Sequence, residues 1–375
     1  MGLNHATLSN KKIAIREVSF EDYPKVFSLQ SRYNLEESSQ KWLHLWVENP
    51  VLRDLKGWPI GWVLENESDQ EIVGYLGNIP QVYEIGGKKL FAAASRAWVV
   101  DERFRSYSLL LLDKFLNQKN AQLCLATTSN PHSGPILEAY GGLRVPAGVW
   151  DEAAFWITHH HGFLASVLSR KRILLHRQLS YPLSTISKLA DRIRSAALCE
   201  KCDEGDVTSC NEFDHRFDAF WSELRQTSTY LMGVRTREML QWHFKDALKD
   251  GRVWIPAIIS GDRILAYSIF LRKDSPALQL TRMMLIDFQS LGGELAFLEA
   301  MLQWALKKCF QERIHMLEAI GFRAEKREMI RKLAPYRRRL SSWLYYYKAR
   351  DKDLTGCLAR PERWDPSMFD GDASL

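Results

Sequence analysis

Apolar positions along this chain repeat at two periods, close to two and close to 3.6 residues, and the switches between them mark out the elements. Residues 13–18 alternate as a first strand. Residues 21–33 then place Tyr23, Val26, Phe27 and Gln30 on one helical face. A second helix over 38–49 carries Trp42 and Trp46 four apart on one side and is closed by Pro50. Residues 61–65, 71–80 and 89–100 read as three strands, separated by the polar turn 67–70 and a turn at 85–88 that holds Gly86 and Gly87. The end of the third strand, 97–100, feeds through a short polar turn with Arg103 and Arg105 into an apolar helix over 106–117. A strand at 123–127 and a short helix from 133, stopped by Gly141 and Gly142, follow.

A similar order returns after residue 215. Trp242 lies in a helix over 236–248, strands follow at 253–259, 263–271 and 278–287, and a helix over 294–310 lines up Leu295, Leu298, Leu302, Ala305 and Cys309. The tetrad Ala319, Ile320, Gly321 and Phe322 echoes the end of the first half. The interval from Tyr267 to Gly321 is shorter than that from Tyr75 to Gly142, and residues 307–316 leave little room for a counterpart of the strand at 123–127. The expectation is a mixed-sheet α/β (α+β) chain of two tandem domains, 1–198 and 216–375, joined by a polar linker at 199–215, with the second domain degenerate.

With 375 residues, 46% apolar and 13 tryptophans, there is material for two packed cores, which excludes general disorder. No apolar run approaches the roughly 18 residues that span a bilayer, and the opening MGLNHATLSNKK lacks a signal core, so a cytoplasmic protein is expected. Six scattered cysteines do not form a secreted disulfide framework. The net charge of +6 suits an anionic ligand or an acidic partner.

Residues 163–197 are basic and leucine-rich, interrupted by Pro182, and suit packing on a neighbouring domain, with peripheral membrane contact as the alternative. In the linker, Cys199, Cys202, Cys210 and His215 have a spacing that zinc ligands can take, but the second interval is irregular, and free cysteines with no metal are the reading adopted. His159, His160 and His161 cannot all face one way. Near the end, Arg337, Arg338 and Arg339 precede Trp343 and Tyr345 to Tyr347, whose alternation fits a strand over 342–348 with aromatics facing in and out by turns. No nucleic-acid partner is expected. The chain closes on an acidic Asp370, Gly371, Asp372.

The strand, turn, apolar helix, strand and short helix of residues 97–143 resemble the core of the GNAT superfamily of acyl-CoA-dependent N-acyltransferases. Residues 99–112 are similar to the segment that holds the coenzyme A pyrophosphate there, and 130–143 to the segment that ends in a Gly-Phe pair. The repeat resembles tandem GNAT proteins of the mycothiol-synthase-like and Fem-like types. The resemblance implies transfer of an acyl group from acetyl-CoA or a longer acyl-CoA to an amine of a small-molecule, sugar or peptide acceptor lodged between the halves. It assigns donor binding to Trp98, Val99, Val100, Arg103, Arg105, Ser106, Tyr107, Ser108 and Asn130. It places the acid for the departing thiol four residues before the Gly-Phe pair, at Glu138, with Tyr140 close by, while His132 is a candidate titrating near neutral pH. Arg105, Ser106, Tyr107, Ser108, Leu109 and Leu110 stand where the family has Arg/Gln-x-x-Gly-x-Gly/Ala, without either glycine. That departure admits two variants: a donor carried on the phosphopantetheine of an acyl carrier protein, and a non-catalytic tandem scaffold.

Overall fold

Strand alternation and helical stripes in the first half condense into a sheet with helices on both faces. The computed structural model describes residues 13–170 and 207–375. In chain order the first half gives β1 (Ile13–Glu17), α1 (Tyr23–Ser31), α2 (Ser39–Trp42, continued by a π turn Leu43–Val47), β2 (Gly61–Asn66), β3 (Glu71–Ile85) and β4 (Lys88–Val100). Then come α3 (Ser108–Leu116), β5 (Leu123–Ser129), α4 (Ser133–Ala139) and β6 (Leu143–Arg144). Trp42 and Trp46 pack edge to face at 5.3 Å, both buried, as their spacing predicts. Helix α4 stops where the glycines stand: the Gly142 amide donates to the Leu137 carbonyl and the Gly141 amide to that of Glu138, with Gly141 at φ +80, a left-handed cap that glycine adopts without strain.

The chain continues with β7 (Glu152–Ile157), α5 (His160–Arg170), β8 (Val207–Cys210), α6 (His215–Thr227), β9 (Met232–Gly233), α7 (Arg237–Lys249), β10 (Val253–Ser260), β11 (Arg263–Arg272) and β12 (Arg282–Ser290). It ends with α8 (Leu295–Gln311), β13 (Met316–Ile320), α9 (Ala324–Leu333), β14 (Tyr336–Arg339), β15 (Leu344–Ala349) and α10 (Lys352–Leu358). Among these described residues no helix is long and apolar enough to cross a membrane.

The two sheets run β1-β2-β3-β4-β5-β15-β6 and β8-β10-β11-β12-β13-β7-β14, with β9 pairing β3 off the first path. Both have one parallel pair, β4 with β5 and β12 with β13, in an otherwise antiparallel ladder. Each sheet takes its sixth strand from the other half. β15 enters the first sheet between β5 and β6, and β7 enters the second between β13 and β14.

Several expectations change accordingly. The strand at 152–157 belongs to the second sheet, and the aromatic strand near the end belongs to the first. Because both faces of the first sheet are covered there, Tyr345, Tyr346 and Tyr347 are all buried, Tyr346 on the α3 side and the other two on the opposite side. The second half does have a counterpart of the strand at 123–127: it is β13, so Gly321 closes a strand rather than the last helix. At Gly321 a Cβ would lie 2.6 Å from the Trp150 ring, and this close approach explains the glycine. The sheets thus cut across the boundaries drawn at 198 and 216, and β8 lies inside the expected linker. Cys199, Cys202 and the stretch beyond residue 170 lie outside the described residues. Cys210 is buried in β8, and burial raises its thiol pKa. Arg338 of the basic triplet is tied to Glu318 at 2.5 Å.

Where the halves meet, charges are enclosed. The Arg235 guanidinium donates to both Asp287 oxygens, at 2.7 and 3.1 Å, and both side chains are inaccessible to solvent. Trp242 donates to the His44 carbonyl at 2.9 Å and stacks on its ring. Removing one member of a buried ion pair leaves an uncompensated charge, so Asp287→Ala should destabilise the chain by about 3–5 kcal/mol in denaturant unfolding. Because each sheet contains a strand from the other half, both halves should unfold in a single transition. Two separable transitions would contradict the shared sheets.

Candidate active site

Two features of β4 open a gap in the first sheet. Its parallel pairing with β5 is confined to Ala92, Ala93 and Ala94 against Leu123, Cys124 and Leu125, after which the strands part. On the other side, the register with β3 jumps between Tyr75 and Gly77, so that Ala97 and Trp98 oppose Leu76 alone. Ala97 sits at φ +52, a left-handed conformation that costs a non-glycine residue on the order of 1–3 kcal/mol. A cavity of about 510 Å³ occupies the parting. It is lined on the α3/α4 side by Leu112, Phe115, Ser133 and Leu137, and on the opposite side by Leu35, Glu37, Arg96 and Asp372, so it runs through the sheet. Trp98 lines it too, and its indole N–H has no hydrogen-bond partner among the described residues.

The far side of the cavity is polar. Arg96 donates to Glu37 Oε1 at 2.6 Å and to the carbonyl and carboxylate of Asp372 at 3.1 and 3.4 Å. Burial works against the guanidinium charge, but Glu37 and Asp372 outweigh it and the Arg96 pKa is raised. Glu37 Oε2 is enclosed without a partner among the described residues. Asp372 also accepts from Thr127 at 2.8 Å.

Asp372 belongs to a final segment stitched to both halves. Gln81 donates to the Gly371 carbonyl at 2.5 Å, the Gly371 amide donates to Tyr83 Oη at 3.2 Å, and Lys273 donates to the Ala373 carbonyl at 3.2 Å. His243 Nε2 and Ser374 Oγ lie 2.7 Å apart. Burial, followed by the neighbouring Arg96, draws the Lys273 pKa down to about 8, and burial lifts that of Asp370 to about 6 against the pull of Arg235.

The residues singled out by sequence divide cleanly. Trp98 and Asn130 line the cavity. Asn130 Oδ1 accepts from the His132 and Ser133 amides at 2.9 and 3.0 Å and so shapes the turn into α4. Val99 is buried in the core against α1 and α2, and Val100 packs on the α3 side. Arg103, Arg105, Ser106 and Tyr107 lie in a 3-10 turn, Glu102–Tyr107, that runs straight into Ser108 and α3, and all five stand outside the cavity lining. Tyr140 caps the C-terminus of α4, its carbonyl accepting from Lys348 at 3.0 Å. Glu138 is exposed and accepts from Tyr346 at 2.9 Å, and His132 is exposed on the turn. Glu37, Arg96 and Asp372 were not singled out. The paired Glu36 and Glu37 just before the Ser38 helix cap were visible, but the contact of Arg96 with Asp372 spans most of the chain.

The second sheet parts in the same way, with β12 and β13 paired only from Arg282 and Met316 to Leu285 and Ala319. A cavity of about 430 Å³ opens there beside the turn containing Gly292 and Gly293. The Lys326 ammonium borders it, donating to the Phe288 carbonyl and, at 2.7 Å, to Asp365.

Asp370 holds its proton more tightly in the folded chain than in the unfolded one. Its contribution to stability is therefore complete below the ordinary carboxylate range near 3.8 and is lost as pH rises through about 6. Hydrogen exchange at the Gly371 amide should accelerate over that interval, and Asp370→Asn should flatten the response.

No family model matches the sequence, and no curated protein matches it. Solved structures do match over most of the chain. A GCN5-related N-acetyltransferase from Kribbella flavida is 10% identical, with 90% of this chain and 72% of that chain covered, at a TM-score of 0.51. Saccharomyces cerevisiae N-myristoyltransferase with bound myristoyl-CoA is 11% identical, covering 90% and 79%, at a TM-score of 0.52. At these identities the likeness concerns the fold: the chain carries the GNAT fold twice in tandem, and its two copies complete one another's sheets.

Proposed function

We propose that this chain is an N-acyltransferase that moves an acyl group from a pantetheine thioester, the chemistry shared by acyl-CoA and acylated carrier proteins, to an amine. The observation that carries the reading is the cavity through the first sheet. A thioester arm entering from the α3/α4 side meets the peptide groups at Ala97 and Trp98, which have left the ladder, and its carbonyl emerges beside Glu37. The acceptor nitrogen attacks that carbonyl carbon, the C–S bond breaks, and the nitrogen loses a proton to the Glu37 carboxylate. Arg96 holds Glu37 by one oxygen and leaves the other for this transfer.

The thiolate departs toward α4, and its protonation falls to that end of the site. Tyr140 and His132 are the candidate acids at that end, while Glu138 accepts from Tyr346. The acceptor is a small amine, an amino sugar or a peptide, and a cytoplasmic location goes with the donor.

Glu37→Gln should lower transfer by about 10²–10⁴-fold while leaving acyl-thioester binding, read by thermal shift, nearly unchanged. Products from a panel of amines would be identified by mass spectrometry. A wild-type chain that neither binds nor consumes any acyl-pantetheine would overturn the reading.

A further inference from the structure

The mouth of the cavity on the α3 side differs from a nucleotide grip in a specific way. Helix α3 does not begin at residues 106–108 with free amides. It continues from the 3-10 turn, Tyr107 already has helical φ and ψ, and the Ser108 amide is spent on the Arg105 carbonyl. The first N–H groups of this composite helix lie at its true start, next to Asp101, and that end is already occupied by the chain itself: the Asp101 carboxylate accepts from Tyr33 and pairs with Arg32, both at 3.0 Å. A pyrophosphate therefore meets neither a glycine cradle nor a positive helix end where the thioester arm comes out.

What surrounds the mouth instead is an exposed face of mixed character. Tyr107, Leu109 and Leu110 are 36%, 37% and 43% accessible. The buried stripe of α3 is already complete with Leu111, Leu112, Phe115 and Leu116, so the core does not need the two exposed leucines. Leu109 stands one turn before Leu112, which lines the cavity, so this face begins at the mouth. Arg103 and Arg105 flank it, Arg105 being two-thirds exposed and making a solvent-screened contact with the exposed Glu102 at 3.7 Å.

Resting on the acyl-transfer reading, we propose that the pantetheine thioester is delivered by an acidic carrier protein that docks on Arg103, Arg105, Tyr107, Leu109 and Leu110. The carrier takes the place of the nucleotide: its acidic helix meets the arginines, its apolar residues cover the two leucines, and its prosthetic arm passes Leu112 into the parting between β4 and β5. Charge at the rim steers the encounter, and the apolar centre holds it.

Binding of the full chain to three donors bearing the same acyl group tests this: S-acyl-pantetheine, acyl-CoA and an acylated acyl carrier protein. The carrier should bind about tenfold or more tightly than acyl-CoA, and that advantage should vanish at high salt and in the Arg103→Glu/Arg105→Glu variant. The Leu109→Asp/Leu110→Asp variant, altered only at exposed positions, should lose the carrier and keep S-acyl-pantetheine. Equal or tighter binding of acyl-CoA, equal loss of S-acyl-pantetheine in the leucine variant, or capture of anionic vesicles in place of the carrier would overturn the docking inference alone. Absence of any S-acyl-pantetheine binding would instead remove the acyl-transfer reading and this inference with it.

Discussion

The exchange of β7 and β15 is the constraint on which the rest of the molecule depends. Each sheet has a gap between its fifth and last strands that its own half does not fill, and an unfilled gap would leave two rows of backbone donors and acceptors buried without partners. The strand that fills it arrives from far along the sequence, with Tyr346 of β15 facing Ala126 of β5. Such pairings are entropically costly to close and form late. Once formed, they fix the relative position of the sheets. The final segment follows β15 and α10 back along the seam, and this is how Asp372 comes to stand in the wall of the cavity.

The seam holds more charge than a core usually tolerates. Arg235 with Asp287, Arg96 with Glu37 and Asp372, and Lys326 with Asp365 are each enclosed and each paired. Burial of this kind gives little net stability, because desolvation consumes most of the Coulombic gain. It does penalise misplacement, since a displaced partner strands a charge in a low dielectric. The polar stitching of residues 370–374 works in the same sense. Gly371 lies so close to Thr127 that a Cβ would come within 2.4 Å of its methyl group, so the path of the segment is fixed by contact as well as by charge.

Local pattern made much of this legible. Helical stripes and strand alternation depend on near neighbours, and they located α1 to α4, β1 to β5 and most of the second repeat within a few residues. Sheet membership depends on distant partners, so nothing local distinguished β7 and β15 as exchanged strands. β13 was missed because Gly321 was aligned with Gly142, although one glycine ends a strand and the other a helix. The turn at Arg105 was read as a helix start because its residues are polar, but the 3-10 turn before it had already begun the helix. Trp98 and Asn130 were within reach of a family resemblance. Glu37, Arg96 and Asp372 become neighbours only in the folded chain.

The internal repeat shows how the two partings differ. Glu37 directly precedes Ser38, the cap of α2, and Arg235 directly precedes Thr236, the cap of α7. Each pairs with a residue beside a bulge in the fourth strand of its own sheet: Arg96 beside Ala97 in β4, and Asp287 beside the register shift of β12. The two positions are equivalent, and the signs are reversed. In the second half, the forked guanidinium occupies both oxygens of Asp287 and leaves neither for a proton, while the Lys326 and Asp365 pair borders the adjoining gap. In the first half, Arg96 is shared between Glu37 and Asp372, so one Glu37 oxygen, enclosed in the wall of the cavity, is left without a partner among the described residues. One inversion of charge in a duplicated scaffold thus turns the same contact into a closed ion pair on one side and, on the acyl-transfer proposal, a proton acceptor on the other.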